Sequence, residues 1–137
     1  MQWLKKEANI SNLDSMINFI LDNIKSEIKL TRKRSMEVRL ICEEVLLNII
    51  SYSYPEGNGV MMAGYEYCNN ESCLVLKICD FGREFDPMSI EEPDMSLDIM
   101  DRDVGGLGIL ILKKISDSIK YERKEDMNIL TVTKYCA

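Results

Sequence analysis

The 137-residue chain contains no histidine. That absence excludes Ser-His and Cys-His nucleophile pairs, histidine-based metal sites and any phosphohistidine relay carried by this chain itself. No apolar run approaches the roughly 20 residues of a membrane-spanning helix. The opening "MQWLKKEANI" has no apolar stretch suited to a signal peptide, so a soluble cytoplasmic protein is expected. Cysteines are few and odd in number, Cys42, Cys68, Cys73, Cys79 and Cys136, without C-x-x-C spacing. Neither a disulfide framework nor a zinc site is indicated. Cys68 and Cys73 flank the turn-like "NNES" and could face each other across a hairpin, but free thiols are the expected state in the cytosol. Basic charge is also short, with 17 Lys and Arg against 23 Asp and Glu for a net charge of −6. The overall field therefore repels nucleic acid and anionic membranes, and a phosphate ligand has to be held locally.

What is present fits one domain over residues 1–137, with 46% hydrophobic and 29% charged residues. In "SNLDSMINFILDNIKSEIKL", residues 11–30, Leu13, Met16, Ile17, Ile20, Ile24 and Ile28 recur at helical spacing, and Ser11 with Asp14 reads as a capping box. A second helix is expected over about 35–53, with a core stripe of Val38, Ile41, Cys42, Val45, Ile49 and Tyr52, stopped by "YPEGNG". Strands follow at about 59–68 and 73–79, then a long polar segment, a helix at about 106–117, and strands at about 118–124 and 128–135. A first strand at about 2–7 is also expected. Strands arriving as hairpins, without βαβ alternation, point to a two-layer α/β sandwich whose mostly antiparallel sheet carries its helices on one face.

Three stretches carry groups suited to chemistry. In "GGLGI", Gly105, Gly106 and Gly108 stand where an apolar helix begins. Each costs about 1 kcal/mol relative to alanine in a helix interior, so a reason is needed. Without Cβ atoms the backbone can approach a polyphosphate and offer it free amide groups; a tight junction packed on the sheet would explain the glycines equally well. In "EEVLLN", Glu44 and Asn48 lie four residues apart and share one helix face, whereas Glu43 projects elsewhere. A carboxylate and an amide oxygen suit Mg²⁺ and its waters, although such a pair is also an ordinary solvated helix edge. In "DFGREFDP", Asp80 ends an apolar strand and Gly82 permits a sharp turn beside it. A carboxylate there could accept a hydrogen bond from an exocyclic amine, or simply form the turn. The intervening "MSIEEPDMSLDIMDRDV" holds Glu91, Glu92, Asp94, Asp98, Asp101 and Asp103 against Arg102. It is longer than most connections and reads as a closing lid, acidic enough that a bound nucleotide needs a divalent cation.

Taken in order, "EEVLLN", "DFGREFDP" and "GGLGI" resemble the N, G1 and G2 boxes of the GHKL (Bergerat-fold) ATPases. Among these the chain is most similar to the anti-sigma-factor serine/threonine kinases, and "ISDSIKYERKEDMNILTVTK" resembles that family's last helix and hairpin. The resemblance implies ATP and Mg²⁺ as cofactors, Asn48 as metal ligand and Glu44 as the general base orienting the attacking hydroxyl. It further implies that Asp80 binds the adenine amino group in a pocket shaped by Gly82, and that Gly105, Gly106 and Gly108 close over the phosphates. Thr131 would help bind adenine through water. The sequence departs from the family at Tyr52, where histidine often follows the asparagine, and at Glu84, where a small or apolar residue is commoner.

The activity implied is transfer of the ATP γ-phosphoryl group to a serine or threonine of an STAS-type anti-anti-sigma partner, by a homodimer that also sequesters a sigma factor. The alternative is a non-catalytic module of the same fold that binds nucleotide or has lost it, and acts by holding its partner. A detached sensor-kinase catalytic domain, taking its histidine from another chain, is a third reading. The basic Arg32 to Arg34 could meet an acidic partner or be a solvated loop.

Overall fold

The computed structural model describes residues 2–89 and 104–136; the acidic stretch 90–103, expected to act as a lid, lies outside the described residues. Strand β1 (Gln2–Glu7) leads into helices α1 (Leu13–Glu27) and α2 (Arg32–Asn48). A hairpin of β2 (Val60–Cys68) and β3 (Cys73–Asp80) follows, then α3 (Val104–Ile115) and a second hairpin of β4 (Ser118–Lys124) and β5 (Met127–Tyr135).

The apolar stripe of α1 is buried as its spacing requires: Met16, Ile17, Ile20 and Ile24 are each at most 1% exposed, and Leu21 joins them. Its start differs from the expected capping box: no side chain caps α1 at Asn12. Asn9 instead caps the short 3-10 turn Ile10–Asn12 that leads into α1, accepting from Asn12 N at 3.1 Å, and the Ser11 hydroxyl donates to Asn9 Oδ1 and does not reach Asp14. Helix α2 begins three residues earlier than expected because Thr31 caps it, its hydroxyl accepting from Arg34 N at 3.1 Å. It also ends earlier. A π-helical turn, Ile49–Ser53, takes over after Asn48, and the wider turn buries Ser53 where the regular period would have buried Tyr52, which is half-buried.

The five strands form one sheet in the order β1-β2-β3-β5-β4, and every neighbouring pair is antiparallel. The expected two-layer sandwich, with a mixed but mostly antiparallel sheet and its helices on one face, is what the chain forms, and among the described residues the sheet is antiparallel throughout. Period-two alternation turns Met61, Ala63, Tyr65, Leu74, Leu76, Ile78, Leu130 and Val132 towards the helices, where they meet Ile41, Leu46, Ile109 and Leu112. Two polar residues occupy the same face at one end of the sheet, Asp80 and Asn128, directly opposite each other in the β3–β5 register. Cys68 and Cys73 are opposite each other across the β2–β3 hairpin, and all five thiols are free.

Candidate functional site

The site begins along one edge of α2. Glu37, Glu44 and Asn48 are spaced by seven and four residues, which places them within about 40° of each other around the helix. Asn48 is buried, and its side-chain nitrogen donates to Glu44 O at 2.9 Å, so that Oδ1 is the atom it could offer a ligand. Burial pushes the Glu44 carboxyl above the usual carboxylate range, and the charge of Glu43 adds to the effect. Gly108 of α3 lies against this carboxylate: a Cβ there would run into Glu44 Oε2. Gly108 carries no side chain because the Glu44 carboxylate already fills that space.

The second part lies at the end of the sheet. Asp80 is 3% exposed, and its Oδ1 accepts from Gly82 N and from Asn128 Nδ2, both at 2.9 Å. Burial raises the Asp80 pKa above its ordinary value; the bonds from Asn128, Gly82 and Ser53, and the charge of Arg123, hold the rise back. Gly82 has a steric reason of its own, since a Cβ would collide with the Ser53 carbonyl. That carbonyl accepts from Arg83 N at 2.9 Å, and Arg83 Nε donates to Tyr52 O at 2.7 Å. The "DFGREFDP" turn is therefore stitched to the π-helical turn that follows Asn48.

Asn48 and Asp80 line one narrow cleft, walled by Val45, Phe85, Tyr121 and Asn128, with room for about one water (≈ 20 Å³). The sequence-derived set is thus gathered in space: Asp80 and Asn48 share the cleft, Glu44 is one turn from Asn48, and Gly108 touches Glu44. Gly105 and Gly106 are helical, within the first turn of α3, which starts at Val104, two residues before the expected 106. Thr131 is not brought to the cleft. It alternates with Leu130 and Val132, which puts it on the sheet face away from the helices, opposite Lys77 and Lys120. The β5 residue that reaches Asp80 is Asn128, which also donates to Arg83 O at 2.7 Å and accepts from Tyr121 Oη at 2.6 Å. Sequence reading missed it. The usable signal was its register, since a lone polar residue facing the core opposite another rarely lacks a partner. Tyr52 stacks on Phe85 with centroids 5.0 Å apart, and Glu84 is exposed. Among the described residues no cluster of three His, Cys, Asp or Glu could hold a metal ion, and no helix is long and apolar enough to cross a membrane.

A wholly antiparallel sheet covered on one face by helices, with a polar cleft between the π-turn end of α2 and the last residue of β3, defines a Bergerat-type α/β sandwich. Comparisons with known proteins agree with that class and narrow it. Residues 7–134 match the histidine kinase-like ATPase domain, and the chain belongs to that family. The serine/threonine-protein kinase BtrW of Bordetella bronchiseptica is 24% identical over 118 residues, covering 85% of this chain and 82% of that protein. The serine-protein kinase RsbW of Halalkalibacterium halodurans is 25% identical over 130 residues, covering 91% and 77%. Among solved structures, the RsbU and RsbW domains of a Mycobacterium tuberculosis protein superpose with a TM-score of 0.62 at 12% identity, covering 98% of this chain and 32% of that one. This chain spans about a third of that larger protein, and the likeness concerns the fold.

Proposed function

We propose that the protein is an ATP-dependent serine/threonine protein kinase acting on an STAS-type regulatory partner in the control of a sigma factor, in the cytoplasm and as a homodimer. The observation that carries the reading is the convergence of three separate segments: Asp80 of β3 and Asn48 of α2 share one cleft, and one turn back along α2 the Glu44 carboxylate meets Gly108 of α3. The two named kinases above support the choice of reaction.

The residues present fit Mg·ATP. Asp80, buried and already accepting from Gly82 N and Asn128 Nδ2, offers a carboxylate suited to the exocyclic amine of adenine, and Asn48 Oδ1 is a hard oxygen for a cation that otherwise takes water and phosphate oxygens. Magnesium, when bound, would neutralise phosphate charge beside an acidic chain. Gly105, Gly106 and Gly108 bare the first turns of α3, so its amides can come close to phosphates. A cleft with room for one water does not admit a purine as it stands, so Phe85 and Pro87, which wall it from a loop, move outward on binding. In the transfer itself, Glu44 accepts the proton of the partner's hydroxyl. The oxygen–phosphorus bond to serine then forms as the bond to the β-phosphate oxygen breaks. Burial raises the proton affinity of Glu44, which suits it to that task.

Glu44→Ala is expected to abolish phosphorylation of the partner while leaving ATP affinity, measured by calorimetry with and without Mg²⁺, within about threefold of the parent. Unchanged turnover would refute the role. The stack of Tyr52 on Phe85 at the cleft mouth favours a second reading, a partner-holding module without phosphate transfer. That reading predicts stoichiometric capture of the partner, and phosphoserine on the partner excludes it.

A further inference from the structure

Helix α3 is poorly equipped to hold its own place. Three of its first five residues are glycine, each costing about 1 kcal/mol relative to alanine, and twelve residues are marginal for an isolated helix. Its apolar side chains Ile109 and Leu112 are fully buried, but apolar contact is non-directional and fixes no register along a neighbour. A directional contact sits at the other end. Lys134 of β5 is 4% exposed; its ammonium donates to Glu37 Oε2 of α2 at 2.6 Å and to Ile115 O, the last carbonyl of α3. That carbonyl is one of the four a helix C-terminus leaves unpaired, and a cation there also meets the negative end of the helix dipole.

The spacings agree on the two helices. From Glu37 to Glu44 on α2 is seven residues, and from Ile115 back to Gly108 on α3 is also seven, about 10.5 Å each. One end of the shared seam is the Lys134 bridge and the other is the Gly108 backbone against Glu44 Oε2. The two helices therefore run antiparallel and in step over two turns. We propose that Lys134 is a positioning residue, which by joining the Glu37 carboxylate to the end of α3 sets the register of α3 on α2 and so holds the glycine-bearing turn at Glu44. The proposal rests on the nucleotide reading of that turn for its functional consequence.

The test separates register from mere stability. Lys134→Met keeps the length and the packing of the chain but leaves the Glu37 carboxylate with only the half-exposed Arg34, at 3.1 Å on its other oxygen; the double variant Glu37→Met with Lys134→Met removes both buried charges and leaves Arg34 to solvent. Replacing a whole buried pair by apolar groups is often neutral for stability, whereas removing one partner is not. The single variant is therefore expected to melt lower and the double to recover. ADP affinity in the presence of Mg²⁺ is expected to fall about tenfold in both, the usual scale for losing a supporting contact, while adenosine, which lacks phosphates, binds both as it binds the parent. A double variant that regains parental ADP affinity together with its stability overturns the proposal, as does a single variant that keeps it. Amide exchange at Leu110 to Leu112, read without any nucleotide, is expected to quicken in both variants while α1 stays as in the parent; unchanged exchange in α3 overturns the register claim independently. A parent protein that binds neither adenosine nor ADP defeats the nucleotide reading alone, and the exchange measurement still judges the register.

Discussion

A methyl group added at Gly82 meets rigid backbone, the carbonyl of Ser53, whereas one added at Gly108 meets the tip of a flexible side chain, the Glu44 carboxylate. The two glycines therefore answer alanine differently. Gly82→Ala is expected to destabilise the fold by about 1–3 kcal/mol, the range for forcing an atom into a packed site, because the Ser53 carbonyl is also held by Arg83 N. Gly108→Ala lies inside α3, where alanine is about 1 kcal/mol better than glycine, so its stability is expected to match the parent or exceed it while Glu44 is driven off its position. Urea melts and phosphorylation of the partner read the two effects separately. A Gly108→Ala protein of parental stability and parental turnover would remove Glu44 from the mechanism. Asn128 belongs at this scale as well. With Nδ2 shared between Asp80 Oδ1 and Arg83 O, it ties the end of β3 to the turn after it. Nothing in its own sequence neighbourhood, "KEDMNILTVTK", sets it apart from any polar residue of an alternating strand.

The hairpin joining β4 to β5 turns on two residues, Glu125 and Asp126, both left-handed at φ 52 and 62. That is the geometry of a tight primed turn, which asparagine and glycine adopt with least cost. A non-glycine residue gives up roughly 1–2 kcal/mol in that region. Glu125→Asn with Asp126→Gly is therefore expected to stabilise the protein by about 1 kcal/mol in urea denaturation, with nucleotide affinity unchanged. No gain would mean that the weak contact of Asp126 with Arg123, at 4.0 Å and fully exposed on the acid side, matters more than its distance implies. Elements whose periodicity is strong are legible in the sequence, the four strands after α2 to within a residue and α1 to within three, because one buried face imposes one spacing. The exchange of α2 for a π-helical turn at Ile49 is not, since the bond pattern changes while the apolar residues continue. The start of α3 falls two residues earlier than expected for the opposite reason: glycine argues against helix, yet the buried Ile109 and Leu112 overrule it. The three boxes could be read as motifs; that Thr131 faces away from the cleft follows only from the alternation of β5.

At the scale of the molecule, its carboxylates titrate in opposite senses. Glu37 is lowered from its ordinary 4.5, chiefly by the hydrogen bond from Lys134. A lowered carboxylate contributes stability that is complete above 4.5 and is lost as the pH falls through the folded value. Asp80 and Glu44 are raised above 3.8 and 4.5 by burial. Their contribution has the other sign: charge burial opposes folding at neutral pH, and protonation relieves it, so the fold gains as they take up protons. Function loses at the same time. A protonated Asp80 gives up an acceptor for an exocyclic amine, and a protonated Glu44 takes no proton from a hydroxyl. Acidification from pH 7 is therefore expected to produce two separate transitions. Phosphorylation declines first, above pH 4.5, as Glu44 takes up its proton, with far-ultraviolet circular dichroism and the cooperative melt retained; ADP affinity declines from above pH 3.8, as Asp80 does, and the stability held by the Glu37–Lys134 bridge is lost only below 4.5. Calorimetric titration of ADP and thermal melts at matched pH values from 7 to 3 measure both. Asp80→Asn, which carries no titrating carboxyl, is expected to lose the decline in ADP affinity and keep the loss of stability. Coincident loss of binding and fold in the parent would mean that the cleft carboxylates titrate as ordinary surface groups, and that the buried acceptor at the end of β3 is not what reads the base.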